Sequence, residues 1–310
     1  MQVEEELAGF SPDKDTILTI GVFDGVHLGH QRLIAELIRQ ARQKELLAGV
    51  VTFRQHPEDL LSTGKRLPFL TDIKTRTRLL KEEGVDLIVT LSFTRELAAL
   101  SARRFMTLLR EHLRMRGLVI GSDFALGKSR EGDTGAIQRL GKEMGLSVTI
   151  VPPLKINGEI VSSTALRKAL SEGNIDKVKE LTGRPYSLHG KVVEGAGRGE
   201  GLGFPTANMD VKSGQALPPD GVYVGLTRFN GKVYQSMTNI GRNPTFGDAE
   251  RSVESYLVDY HGDLYGKEVH LDIVARLRDE KKFAGADDLK KQISQDIMQG
   301  KAILDSIGVK

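Results

Sequence analysis

The sequence predicts an α/β domain built on a doubly wound parallel sheet over residues 1–183. A small all-β barrel with a C-terminal helix follows over residues 184–310. Three observations carry this. Between Thr16 and Val151, short apolar runs alternate with segments whose apolar residues recur at helical spacing. After Gly183-Arg184-Pro185 the pattern changes to short runs separated by glycine turns, without intervening helices. The chain then closes on Leu289, Ile293, Ile297 and Ile303, which share one side of a helix over about 286–307.

In order, a strand over 16–22 feeds a helix that begins near His30 and continues through Leu33, Ile34, Leu37 and Ile38. A strand over 49–53, a helix opening at Thr71 or Asp72 and a strand over 87–91 follow. Ser101 caps a helix reaching about Leu113, a strand covers 117–120, Thr134 opens a helix to Met144, and a strand covers 146–151. In such a sheet, ligands bind beyond the carboxyl ends of the strands, so chemistry belongs in the loops that follow them. A further helix opens at Ser162-Ser163, and another spans 174–181 before Gly183 stops it. Barrel strands are expected over 186–194, 221–229, 232–240, 251–259 and 267–276, with Asn230-Gly231 as a hairpin turn.

With 310 residues, 39% apolar and 27% charged, the chain suits two soluble globular domains. No apolar run approaches a membrane span, and Glu4-Glu5-Glu6 is unlike the basic start of a signal peptide, so no membrane association and a cytoplasmic location are expected. The absence of cysteine excludes disulfides, thiolate metal sites and cysteine nucleophiles. A net charge of +3 from scattered Lys and Arg argues against a nucleic-acid partner but suits small polyphosphates.

The loop Gly21-Val22-Phe23-Asp24-Gly25-Val26-His27-Leu28-Gly29-His30 joins the first strand to the first helix. Glycines there let a phosphate approach a helix N-terminus, and His27 and His30 can donate imidazole N–H groups to it. A strand–helix connection without function has much the same composition, so the combination is what counts. At 161–167, Ser163 and Thr164 open a helix, where hydroxyls normally cap; they also suit triphosphate oxygens, with Arg167 one turn on for the leaving pyrophosphate. The loop over 121–129 ends in Gly-Lys-Ser, but five residues separate Gly121 from Gly127, which rejects a phosphate loop. In the second half, the run from Gly195 through Gly197 and Gly203 reads as a flexible linker or as a nucleotide loop. Its sequel Pro205-Thr206-Ala207-Asn208 favours the loop, since Thr206 and Asn208 lie on one side of an extended strand, where both can reach a Mg²⁺-nucleotide.

The string Gly-Val-Phe-Asp-Gly-Val-His-Leu-Gly-His-Gln resembles the nucleotidylyltransferases that share a His-x-Gly-His signature. It is most similar to the adenylyltransferase module of bacterial bifunctional riboflavin kinase/FMN adenylyltransferases. The 162–167 segment resembles the family's Ser-Ser-Thr-x-x-Arg motif, and 203–208 its Gly-x-Pro-Thr-Ala-Asn kinase signature. The resemblance implies an ATP site from Gly21, Phe23, Gly25, Gly29, Ser163, Thr164 and Arg167, with His27 and His30 catalytic. It implies a second nucleotide site from Gly197, Gly203, Thr206 and Asn208, the last two holding Mg²⁺. Glu254 stands where the family keeps a catalytic carboxylate, with Tyr256 in place of a common histidine. On the flavin side it implies His56, beside a Gln55 that replaces a proline, and Asp123, in a segment with Leu126 where an aromatic is common and which also reads as a polar surface loop. It adds Arg278, in a charge run that also reads as a solvated approach to the last helix. The implied reactions are riboflavin plus ATP giving FMN in the second half, and FMN plus ATP giving FAD and pyrophosphate in the first. Two rivals are a different nucleotidylyltransferase with an unrelated barrel and a nucleotide sensor without turnover; Glu254, Thr206, Asn208 and both histidines argue against the sensor.

Overall fold

Neighbouring residues of the first strand point into two different cores. In the computed structural model, which describes residues 1–57, 60, 67–195, 198–212, 214–242 and 251–308, and only the backbone of Arg198, Glu200 and Arg242, β1 spans Thr16–Ile20. Ile17 packs with Ile34, Leu37 and Ala41 of a helix over Leu28–Gln43, whereas Leu18 packs with Phe105, Met106 and Leu109 of a helix over Ala102–Leu113. Val50 and Val51 divide in the same way. Apolar residues at successive positions are what a strand covered on both faces requires.

Along the chain come α1 (Gln2–Ala8), β1, α2 (Leu28–Gln43), β2 (Leu47–Phe53), α3 (Ile73–Glu82), β3 (Leu87–Leu91), α4 (Arg95–Ala98), α5 (Ala102–Leu113) and β4 (Met115–Gly121). A two-stranded ribbon, β5 (Ala125–Leu126) with β6 (Gly132–Asp133), precedes α6 (Thr134–Met144) and β7 (Ser147–Val151). The sheet order is β3-β2-β1-β4-β7, parallel at every pairing. The order reverses between β1 and β4, the point at which such a sheet opens a crevice for ligands. Helices begin where short polar side chains cap them: Asp72 accepts from Thr75 N–H, Ser101 from Arg104 N–H and Asp133 from Ala136 N–H. The first long helix starts at Leu28 rather than near His30, because His27 itself is the cap.

A small ribbon of β8 (Lys155–Ile156) and β9 (Glu159–Ile160) leads to α7 (Ser163–Ser171) and α8 (Ile175–Thr182), the latter capped by Asn174. Contacts divide the chain into compact units Met1–Ser163 and Thr164–Lys310. The second contains β10 (Tyr186–Val193), a helical turn α9 (Arg198–Gly201), β11 (Thr206–Val211), β12 (Gly221–Phe229), β13 (Lys232–Arg242), β14 (Arg251–Leu257), β15 (Glu268–Arg278) and α10 (Ala286–Ser306). The strands close as β10-β11-β14-β13-β12-β15, a barrel of six rather than five, because the segment bearing Thr206 and Asn208 is a full member. Met209, Val253 and Ile240 line one face of the barrel wall, and Ala207, Ser255 and Thr238 continue it. α10 covers part of the opposite face through Val224, Met237 and Tyr256, and Gly300 lets it settle on Met237, where a Cβ would collide.

Candidate functional site

In the first unit the site grows from the end of β1. Gly21 N–H donates to Val51 O at 3.0 Å, and a Cβ at Gly21 would lie 3.1 Å from the Phe23 ring. Glycine therefore lets Phe23 fold back into the core at φ 53°. Asp24 is buried and accepts from the N–H groups of Leu70 and Thr71 at 2.9 Å and from Thr71 Oγ1 at 3.2 Å, with Arg76 at 3.6 Å. Thr71 Oγ1 in turn accepts from Gly25 N–H at 3.0 Å. A buried carboxylate met by this many donors is compensated, and the loop is pinned in one conformation.

His30 N–H donates to Nδ1 of His27 at 3.3 Å, which caps α2. An accepting Nδ1 puts the proton of a neutral imidazole on Nε2, so His27 is a donor through that atom. The His30 ring stacks on His27 with centroids 3.7 Å apart and meets the edge of Phe23 at 5.1 Å. Gly29 is closely packed, since a Cβ would sit 3.0 Å from Val161 O and 3.1 Å from the His27 ring. Ser163 Oγ donates to Asp24 O at 2.9 Å, tying the first residue of α7 to this loop. The result is a helix N-terminus, two imidazoles and a hydroxyl at one strand end, an arrangement suited to phosphate oxygens.

Thr164 is exposed and Arg167 half-buried on the turn of α7 that follows Ser163. Asp123 is exposed in a turn after β4, the neighbour of β1, closed by Phe124 N–H donating to Gly121 O. His56 follows β2 at the same edge. Beside it Gln55 Oε1 accepts from Phe93 N–H at 3.2 Å, a bond that ties the loops after β2 and β3 and that a proline could not make.

In the barrel, strand register assembles the second site. Asn208 on β11 stands directly opposite Glu254 on β14, which stands opposite Asn239 on β13. Asn239 faces Val222 on β12, and Val222 faces Arg278 on β15. These residues form one row on the face that α10 covers further along, and Thr206 lies two positions from Asn208 on that side. Ser252 Oγ donates to Glu254 at 3.3 Å. Upstream, Gly195 and Gly199 are seats for neighbouring groups. A Cβ at Gly195 would overlap the Asn208 amide, one at Gly199 would strike Phe204 O and Thr206, and Gly203 turns at φ +85°. Gly197 lies outside the described residues. Tyr256 packs edge-on to Phe204 at 5.6 Å. The Arg278 guanidinium binds the buried Asp296 of α10 with two nitrogens, at 3.0 and 2.7 Å, and lies over the Phe283 ring. That bidentate pair fixes α10 to the row.

Sequence does not single out Asn239, Asp296 or the Asp24–Thr71–Arg76 set. Asn239 stands in Asn-Ile-Gly-Arg, a segment similar to the family's, but its place beside Glu254 emerges only from register.

The family model for FAD synthetase matches residues 10–165, and that for riboflavin kinase matches residues 182–304. A bifunctional riboflavin kinase/FMN adenylyltransferase of Escherichia coli (strain K12) is 38% identical over 288 residues, covering 92% of each chain. One of Listeria monocytogenes is 35% identical over 286 residues, covering 92% of this chain and 91% of the relative. A crystal structure described as a macrolide-efflux protein from Streptococcus pneumoniae superposes with a TM-score of 0.88 at 30% identity over 97% of both chains. Among the described residues no helix is long and apolar enough to cross a membrane. With both family models in this order and full-length relatives at this identity, the chain belongs to the bifunctional riboflavin kinase/FMN adenylyltransferase family.

Proposed function

We propose that the barrel phosphorylates riboflavin with ATP to FMN and that the α/β unit adenylylates FMN with a second ATP to FAD and pyrophosphate. The kinase reading is carried by the pairing of Asn208 with Glu254, Thr206 alongside. A ribityl hydroxyl is a poor nucleophile. Glu254 takes its proton as the oxygen bonds to the γ-phosphorus of ATP and the bond to the ADP oxygen breaks. Thr206 Oγ1 and Asn208 Oδ1 are hard oxygen donors of the type Mg²⁺ accepts, and the ion arriving with ATP would neutralise phosphate charge there. Gly203, at φ +85°, shapes the backbone for that nucleotide.

Adenylyl transfer needs no base, because the FMN phosphate is already anionic. Its oxygen attacks the α-phosphorus of ATP, and pyrophosphate leaves. His27 and His30 stabilise the charge gained at the α-phosphate. Ser163, Thr164 and Arg167 hold the departing phosphates, and Gly21, Phe23, Gly25 and Gly29 set the backbone to receive the nucleotide. His56 and Asp123 serve the flavin side of this site. Arg278 serves the flavin side of the kinase by fixing the strand end next to the row. We place the functional boundary between Gly183 and Arg184, and the working location in the cytoplasm, where ATP is available. Incubating the purified chain with riboflavin, ATP and Mg²⁺ and resolving the flavins by chromatography tests the proposal. FMN should appear first and FAD after it, and a chain that makes no FMN would sink the kinase reading.

A further inference from the structure

Glu280 follows β15 and stands outside the residues assigned above, yet its carboxylate occupies the space over Gly241 that a Cβ would fill. There it accepts from Nδ2 of Asn239 at 3.3 Å. A carboxylate only accepts, so this contact fixes which way the Asn239 amide points, with its N–H₂ toward Glu280. Asn239 is the direct cross-strand partner of Glu254. Opposed side chains of this kind have Cβ atoms about 4.5–5.5 Å apart, within reach of an amide N–H for a carboxylate. Two residues before Glu280, Arg278 is anchored by its bidentate pair with buried Asp296, which holds the segment in place.

Resting on the kinase reading, we propose that Glu280 is a positioning residue that holds the Asn239 amide away from Glu254 and so preserves Glu254 as a proton acceptor. An amide N–H donated there would occupy a carboxylate oxygen that the substrate hydroxyl must reach. Without Glu280, the Asn239 amide is left to turn to the carboxylate opposite it in register.

The test is riboflavin phosphorylation by the full chain, with FAD formation from supplied FMN and thermal unfolding as controls of folding. Glu280→Ala should lower kcat roughly ten- to hundredfold, the worth of one hydrogen bond to a charged group, with KM for ATP little changed. Glu280→Gln, whose carbonyl still accepts from Asn239, should retain most of kcat. Adding Asn239→Ala to Glu280→Ala should raise kcat again, because the misdirected donor is gone. A double variant as slow as Glu280→Ala, or slower, overturns the proposal, since loss of packing would accumulate rather than reverse. So does Glu280→Ala at the unaltered rate. Failure of the kinase reading is distinct: there the unaltered chain, or Glu254→Gln, would give the wrong result before Glu280 is touched.

Discussion

His27 caps a helix and is proposed to donate to a phosphate, and one substitution separates the two. Its Nδ1 caps α2 by accepting from His30 N–H, and its Nε2–H is the donor assigned to the transferring phosphate. Asparagine is as good a helix cap but offers no ring donor at that reach. His27→Asn is therefore expected to leave the unfolding temperature near that of the unaltered chain while slowing FAD formation about 10²–10³-fold, the cost of one lost oxyanion donor. Riboflavin phosphorylation should be unaffected. A His27→Asn variant that makes FAD at the normal rate would reduce the histidine to a cap. The spacing of His27 and His30 was legible in the sequence, and so were Thr206, Asn208 and Glu254 as types. What pins them was not. Asp24 and Thr71 are 47 positions apart, and Asn239 meets Glu254 only through register, which a single strand's pattern does not encode.

At the level of elements, α8 matters more to the barrel than its place before Gly183-Arg184-Pro185 suggests. Ile175, Val178 and Leu181 are fully buried, and the helix packs on β10 and β15. At about 1.5–3 kcal/mol per side chain, losing them would remove a large share of the roughly 5–15 kcal/mol that stabilises a domain. A fragment over 164–310 should fold and phosphorylate riboflavin, whereas one over 184–310 should unfold at a markedly lower temperature; equal stability would show that α8 is dispensable. In α1, Glu6 accepts from the Ser92 hydroxyl at 2.7 Å and from its N–H at 2.8 Å. Burial pushes the Glu6 carboxyl up, but these bonds, one from Gln2 and the nearby Arg54 outweigh it and hold it below the usual carboxylate range. A depressed folded value means stability that is present above the unfolded pKa and lost as pH falls through the folded one. Glu6→Gln should therefore be destabilising at neutral pH and nearly neutral in strong acid; a difference that persists in acid would contradict the assignment. Elements with a cap and a period, such as α3, α5 and α6, were legible from sequence. α1 is only seven residues with two buried, α9 sits in a glycine run, and β11 is short and polar on its outward side, so local pattern under-reported all three.

For the molecule as a whole, the two reactions ask for different chemistry, and the chain places that chemistry on two cores of different architecture. Alternating strand and helix patterns foretold the parallel sheet, and glycine-punctuated strands foretold the barrel; the strand orders β3-β2-β1-β4-β7 and β10-β11-β14-β13-β12-β15 belong to the structure. One site requires a base, because it activates a hydroxyl. The other requires donors around a phosphate that is already charged. Removing the base should therefore abolish one activity and leave the other. Glu254→Gln keeps side-chain shape, and Thr206 and Asn208 remain for the nucleotide. The most direct measurement is the rate of FMN formation from riboflavin and of FAD formation from supplied FMN, on the same preparation of Glu254→Gln at saturating ATP and Mg²⁺. The account predicts that riboflavin phosphorylation falls about 10²–10⁴-fold, the usual worth of general-base catalysis, while FAD formation from FMN is unchanged. Phosphorylation within a few-fold of the unaltered chain, or a parallel fall in both rates, would contradict it.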